Sequence, residues 1–437
     1  MRKINLVLLV GAISISTLGF AQDTLTISKK DIWVKASDKN LQIKIANQAF
    51  KSAQADYRQS NALFLPSISA SHTVISTTNP LMAFGSKLNQ EVLTASDFNP
   101  ALLNNPSATQ NYATKIEVLQ PLINVDGLYG RQAAKSKMEA YQLQTERTTE
   151  YLVLEVNKSF MQLQLSYKAV KVLEKASATA DANLKLVENY FKQGILQKTD
   201  LLSVQVRVNE IKNQLQYAKS NVQNASDYLA FLLNEDNTNK VYKPLEELDN
   251  TISISSINTT LSGNRKDILA MDKSSEAYAK MLQSSKMNFL PTLNAFGSYE
   301  MYDDTLFGTN AQGYLVGAQL SWKVFDGYKS IAKMEKAKAE YQKAEVENQQ
   351  YKSQSQLELN KTNRQLKDAE NKVNLEKLAL EQSQEAYRIR SNRFTQGLEK
   401  TTDLLQAETQ MFQKELELLQ AVFEYDFTQE YLQFLTK

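Results

Sequence analysis

The chain has 437 residues, and its 50 Lys and Arg nearly balance its 48 Asp and Glu, so no sequence-wide field attracts nucleic acid or an acidic surface. It has no cysteine, which excludes disulfides, thiolate chemistry and an acylated N-terminal cysteine. One histidine, seven prolines and thirteen glycines leave little material for metal sites, phosphate loops or a many-turned β domain. We therefore predict long helices, with no metal and no cofactor.

The N-terminus has the layout of a secretory signal peptide. Basic residues at Met1-Arg-Lys3 precede an apolar run that ends at Phe20, and cleavage is expected after Ala21. An uncleaved anchor needs about 20 apolar residues and fits this short, serine-containing run less well. No later segment is long and apolar enough to span a membrane as a helix, so a membrane location would require a barrel.

Four segments alternate between apolar and polar residues with a period of two, which predicts strands at about 66–76, 112–121, 291–302 and 313–325. In the last of them, Tyr314, Val316 and Leu320 share one face. Such two-faced strands suit a membrane barrel and, equally, a soluble sheet packed on helices. Four strands cannot close a barrel, so either the sheet is soluble or several chains pool their strands.

A longer connection separates the first two strands than the last two. Its segments 79–85 and 97–106 are rich in Asn and Pro, so we predict a loop, which would lie at the outer mouth if the strands cross a membrane.

Most of the remaining chain has a helical pattern. Proline is absent between Arg131 and Pro244, and again after Ile331, so long helices are predicted at about 128–235 and 327–435. Apolar residues recur at spacings of three and four, as in a coiled coil. A soluble coiled-coil adaptor or fibre would explain these helices equally well, but not the pair of strands before each of them.

The chain contains a duplication. Residues 189–202 and 392–405 agree at eight of fourteen positions, and each copy contains a glycine turn followed by Thr-Asp-Leu-Leu. The upstream Phe-Leu-Pro at Phe64 and at Phe289 also repeats. We predict two repeats, at 22–236 and 237–437, each with the order strand, strand, helix, helix.

The order of these motifs resembles the TolC family of outer-membrane efflux channels. The resemblance covers Phe64-Leu-Pro66, the strand pair, Asp126-Gly127 before a long helix, the turn from Gly194 to Asp200, and the same series again. It implies a homotrimer with a 12-stranded outer-membrane β-barrel, continued by an α-helical coiled-coil tunnel into the periplasm of a Gram-negative bacterium.

The resemblance also implies partners and a class of function. The partners are a periplasmic adaptor and, through it, an inner-membrane pump, in efflux or type I secretion. The chain would conduct substrates passively and would not be an enzyme. A secreted, non-channel coiled-coil structural or adaptor protein is the alternative.

The family places its adaptor-contact tip at the turns between the long helices. In this sequence those turns give two sets of three residues: Gln193, Gly194 and Ile195, and Gln396, Gly397 and Leu398. Each glycine has a purely structural alternative role, as the left-handed residue that ends the preceding helix.

The family also implies a periplasmic aperture lined by aspartates, which correspond here to Asp200 and Asp403. Capping of the following helix is the alternative role of both carboxylates. Phe394 stands where a gating tyrosine occurs in the family, so this position lacks the hydroxyl that a tyrosine latch would use. Glu399 and Lys400 are candidates for a different, charged latch.

Overall fold

A computed structural model describes residues 23–236, 240–248 and 260–437, and these residues form nine α-helices and six β-strands. The helices are α1 (Lys29–Lys39), α2 (Leu41–Gln59), α3 (Pro80–Asn89), α4 (Pro100–Asn104), α5 (Val125–Lys192), α6 (Lys198–Leu233), α7 (Lys266–Met287), α8 (Lys329–Thr395) and α9 (Thr401–Thr436). The strands are β1 (Asp23–Ile27), β2 (Ser67–Thr77), β3 (Thr109–Ile123), β4 (Lys240–Pro244), β5 (Thr292–Asp303) and β6 (Ala311–Ser321). The prediction of a mainly helical chain with a small β part is confirmed. The predicted signal peptide, residues 1–21, lies outside the described residues.

The described residues form two compact units. The helical unit contains residues 23–41, 149–236, 240–248 and 359–436, and the strand unit contains residues 42–148 and 260–358. No helix within the described ranges combines the length and the apolar character needed to cross a membrane.

The strand unit contains a four-stranded antiparallel sheet in the order β2-β3-β5-β6. The register places Ile116 between Ala70 and Tyr299, and Tyr299 beside Tyr314. Because alternate residues of a strand share a face, the apolar sides of the four strands form one continuous face. Much of that face is exposed in the single chain, including Ile68, Val74, Tyr314, Val316 and Leu320.

The segment predicted as a loop between β2 and β3 is helical in part, so that prediction is wrong. Asn79 and Asn99 accept hydrogen bonds from backbone N–H groups of the first turns of α3 and α4, at 3.2 and 2.9 Å. Pro80 and Pro100 occupy the first helical position, where a missing N–H breaks no helical hydrogen bond. The two Asn-Pro pairs therefore begin helices.

Strand β6 ends earlier than the alternating pattern predicts. Its last residue is Ser321, so Trp322 and Val324 lie beyond the strand. The indole N–H of Trp322 donates a hydrogen bond to the carbonyl of Phe289 at 3.0 Å. The alternating pattern continues past Ser321 in the sequence, but β5 begins at Thr292, the partner of Ser321, so no residue of β5 pairs with Trp322.

A two-stranded parallel sheet in the helical unit was not predicted. Strand β1 pairs with β4, and Ile27, Val241 and Tyr242 are buried there. The Tyr242 hydroxyl donates to Glu235 at 2.6 Å, and the Lys39 ammonium lies 3.0 Å from the same carboxylate. Five-residue strands show too little alternation to be recognised, and parallel partners can lie far apart in sequence.

Buried charges join three helices of the strand unit at Asp267, in the first turn of α7. Its carboxylate lies 2.5 Å from Arg265, 2.7 Å from the Tyr351 hydroxyl of α8, and 3.4 Å from Arg147 of α5. Burial opposes ionisation, but hydrogen bonds from Arg265 and Tyr351 and the charge of Arg147 outweigh it and hold the pKa of Asp267 at about 2.

We expect Asp267→Asn to lower the free energy of unfolding by about 2 kcal/mol at pH 7, since hydrogen bonds to charged groups contribute this much. The folded-state pKa is depressed, so this stability is present above the ordinary carboxyl pKa of 3.8 and is lost as the pH falls toward 2. Thermal unfolding followed by circular dichroism at pH 7 and pH 3 measures both effects. Equal stability of the two proteins at pH 7 would contradict the prediction.

Candidate functional site

The two turns between the long helices have the same backbone geometry. Gly194 follows α5 and Gly397 follows α8, and both have φ +72°. In each turn the N–H of the next residue, Ile195 or Leu398, donates at 2.9 Å to the carbonyl five residues earlier, which is the Schellman pattern. A Cβ added at either glycine would meet no atom within 4 Å. Glycine is therefore required at both turns by the backbone conformation and not by crowding, and the surface around each glycine is free of neighbouring atoms.

The predicted adaptor-contact residues all lie at the surface of the chain. Ile195 is 59 % exposed and Leu398 is 63 % exposed, and Gln193 and Gln396 are exposed as well. Two large apolar side chains thus stand in solvent at the ends of the helix pairs. An exposed apolar side chain beside a rigid turn is a suitable anchor for a protein partner.

The two predicted aperture aspartates have different surroundings. Asp200 accepts a hydrogen bond from the N–H of Gln197 at 3.1 Å and so caps α6. Asp403 lies 3.7 Å from the guanidinium of Arg390. The capping role considered from the sequence fits Asp200, whereas Asp403 belongs to a charged cluster.

That cluster is centred on Glu399. Its carboxylate lies 3.2 Å from Arg390 and 2.9 Å from Arg393, and its side chain is only 13 % exposed. Lys400 forms no ion pair with any residue in the described ranges. The structure therefore brings Glu399 and Asp403 together through Arg390 and leaves Lys400 apart. The first repeat has uncharged residues at the positions that match Arg390, Arg393 and Glu399, namely Val187, Tyr190 and Leu196.

Phe394 lies inside the chain, behind both turns. It is 2 % exposed and packs with Val187, Val204 and Leu404, so all four long helices contribute to one apolar cluster. The Tyr190 ring lies 6.0 Å from the Phe394 ring. Phe394 therefore holds the two turns together and does not line a surface of this chain.

One buried polar cluster was missed from the sequence. Glu408 of α9 is fully buried and accepts a hydrogen bond from Asn183 of α5 at 2.5 Å, while its other oxygen lies 3.9 Å from Arg207 of α6. Burial raises the pKa of Glu408. A charged residue in the apolar series between Leu404 and Met411 was the sequence signal that could have revealed it.

We expect Gly194→Ala and Gly397→Ala each to destabilise the local turn by about 1 kcal/mol, because a side chain is strained at φ +72°. Asparagine tolerates this conformation, so Gly194→Asn and Gly397→Asn should cost less. Limited trypsin digestion at the neighbouring lysines and arginines reports local opening, and about 1 kcal/mol corresponds to roughly fivefold faster cleavage. Equal cleavage of the Ala and Asn variants would contradict the prediction.

A protein-family model described as outer membrane efflux protein matches residues 33–235 and 259–436. No similar sequence was found among curated proteins.

Several solved structures have similar folds. The Campylobacter jejuni CmeC outer membrane channel superposes with a TM-score of 0.82 at 16 % identity and covers 93 % of this chain and 85 % of its own. The outer membrane protein VceC of Vibrio cholerae gives 0.77 at 16 % identity, with 93 % and 95 % covered. The open state of the Neisseria gonorrhoeae MtrE outer membrane channel gives 0.76 at 15 % identity, with 93 % and 88 % covered. At these identities the likeness concerns the fold.

Proposed function

Because the chain belongs to the outer membrane efflux protein family, we propose that it acts as the outer-membrane channel of a tripartite efflux or type I secretion system. The family match over both repeats carries this conclusion. The protein is a homotrimer of the Gram-negative outer membrane that works with a periplasmic adaptor and, through it, an inner-membrane pump. It conducts substrates passively, and we expect no catalysis.

The sheet supports a pooled arrangement of strands. In the described residues β2 and β6 each pair on one side only, so both edges of the sheet are open. Three copies supply twelve strands and join edge to edge, which removes every open edge from the lipid. The exposed apolar face then meets lipid, and the opposite, polar face lines the pore.

The adaptor contacts the exposed turns. Ile195 and Leu398 provide apolar anchors, and Gln193 and Gln396 provide hydrogen-bonding groups beside them. The two glycines allow a partner to approach the backbone closely, since no side chain covers it. We expect charged or bulky replacements of Gly194 and Gly397 to abolish efflux while trimers still reach the membrane.

Asp200 and Asp403 of three chains form the aperture. In the second repeat only, Glu399 pairs with Arg390 and Arg393 and acts as a latch within each chain. Phe394 stabilises this region from behind, and Lys400 remains available to a neighbouring chain or the adaptor. If the carboxylates line the aperture, Asp403→Asn reduces block of the single-channel current by divalent cations. Unchanged block would refute the role of Asp403.

Fractionation and bilayer recording test the function as a whole. A heat-modifiable trimer in the outer membrane that conducts ions in planar bilayers supports the channel. A soluble, detergent-independent rod would instead support a secreted coiled-coil structural or adaptor protein.

The domain organisation follows the same proposal. Residues 1–21 are a signal peptide, residues 22–236 the first repeat and residues 237–437 the second. Sequencing the N-terminus of the mature protein tests the cleavage site after Ala21.

A further inference from the structure

The segment between β2 and β3 forms a small helical cap, which we define as residues 80–104. Its apolar side chains are largely exposed, among them Leu81 (81 %), Met82, Leu88, Phe98 (60 %) and Leu102. The cap carries three charged residues, Lys87, Glu91 and Asp97. The Lys87 ammonium lies 2.7 Å from Asp97, so these two charges satisfy one another. The cap therefore presents an apolar surface with little charge.

The cap is fixed to the sheet. Gln90 is buried, and its amide nitrogen lies within hydrogen-bonding distance of the Gln110 carbonyl (2.8 Å), the Asn111 side-chain oxygen (2.9 Å) and the Asp303 carbonyl (3.1 Å). Ala83 of α3 is buried as well. Because these contacts fix α3 against the sheet, the helix cannot rotate to bury the exposed apolar residues of the cap.

The hydrogen bond to Asn111 shows which face of the sheet the cap covers. Side chains alternate along β3, so Asn111 shares its face with Lys115 and Glu117 and not with Ile116. That polar face lines the pore in the proposed channel, and lipid meets the other one. The cap therefore lies on the pore side of the sheet, so lipid does not cover its apolar residues.

The connectivity shows which end of the pore the cap occupies. Helix α2 ends shortly before β2 begins, and α5 starts directly after β3. The cap joins the opposite ends of these two strands, away from the helices. In the proposed channel the helices lie in the periplasm, so the cap lies at the outer mouth.

We propose that the caps of the three copies contact one another across the outer mouth through Leu81, Phe98 and Leu102, and form an apolar constriction there. The inference rests on the proposed trimeric channel. The contact continues the interface between copies, because the cap leaves the edge strand β2, where the neighbouring chain joins. A nearly uncharged apolar surface matches its own copies, and apolar constrictions close pores by excluding water.

Single cysteines test the contact. The chain has no cysteine of its own, so a disulfide in Leu81→Cys or Leu102→Cys can only join two copies. Mild oxidation of the purified trimer is expected to give covalent dimers, with a loss of conductance that dithiothreitol reverses. Leu306→Cys, at a similarly exposed residue of the β5–β6 connection, is the matched control and should stay monomeric on a denaturing gel.

A second measurement does not depend on cross-linking. The serine hydroxyl of Leu102→Ser favours hydration of the constriction, so the single-channel conductance should rise. Absence of dimers from both cysteine variants, or unchanged conductance of Leu102→Ser, in trimers that still conduct would overturn the inference and leave the channel function intact. Quenching of a fluorophore at Leu81→Cys by brominated lipid would also overturn it, because lipid would then cover the cap. A wild-type protein that neither trimerises nor conducts would instead refute the proposed function.

Discussion

Replacing Phe394 with alanine is expected to destabilise the paired turns by about 3–5 kcal/mol, the range for truncating a buried phenylalanine. The side chain is 2 % exposed, and its neighbours Val187, Val204 and Leu404 come from the other three long helices. The cavity left by the ring would therefore loosen the packing of both turns together. Local opening measured by limited trypsin digestion should accelerate at least a hundredfold, because each 1.4 kcal/mol is a factor of about ten.

The duplication provides a matched control for this variant. Phe191 holds the same position in the first repeat but is 38 % exposed. Phe191→Ala removes the same number of atoms, and we expect it to cost much less because part of the ring already contacts water. If the two variants were cleaved at equal rates, the assignment of Phe394 to the core behind the turns would be wrong.

Removing the cation beside Glu408 is expected to have an effect of similar size. Arg207→Leu should cost about 3 kcal/mol, the lower end of the range for removing one partner of a buried charge pair. Glu408→Gln keeps the hydrogen bond from Asn183 and removes the charge, and Arg207 retains Glu210 at 3.5 Å. The double variant Arg207→Leu/Glu408→Gln leaves neither of these two charges buried, so it should recover most of the stability that Arg207→Leu loses.

The pH dependence follows from the raised pKa of Glu408. Its ordinary value is 4.5, and burial makes the folded chain bind this proton more tightly than the unfolded chain. The stability contributed by the protonated group is fully present below pH 4.5 and is lost as the pH rises through the folded-state pKa. Burial also raises the pKa of Tyr387 on α8, which keeps that neighbour neutral over the same range.

Thermal unfolding between pH 4 and pH 8 measures this dependence. The wild-type protein should lose stability relative to Glu408→Gln as the pH rises, and the two should converge at low pH. Parallel curves would show that Glu408 does not titrate in this range. A double variant as unstable as Arg207→Leu would show that the arginine stabilises the helices by packing alone.

The long helices and the two-faced strands were predictable because both are periodic over many residues. Tyr314, Val316 and Leu320 show the pattern of β6 without any partner strand, and Gly194 and Gly397 mark where the helices end. The sequence predicts a loop for the cap because Asn-Pro pairs occur both in loops and at helix starts, and only the hydrogen bonds of Asn79 and Asn99 distinguish the two.

The environments of the site residues could not be predicted in this way. Asp200 and Asp403 occupy matching positions in two similar segments, yet the first caps a helix and the second lies beside Arg390. Phe191 and Phe394 also match in sequence and differ in burial. A repeat fixes the local backbone, whereas the neighbours of each side chain come from other helices.

Local sequence patterns are sufficient to predict the duplicated order of strands and helices, the positions of the turns and the two-faced character of the strands, because each depends on residues close together in the chain. The folded chain is needed to see that Phe394 is buried, that Glu399 pairs with Arg390 and Arg393, that Glu408 contacts Asn183 and lies near Arg207, and that the cap lies on the polar face of the sheet. These contacts join residues distant in sequence, and their energies depend on burial and on the exact separation of charges, which periodicity does not encode.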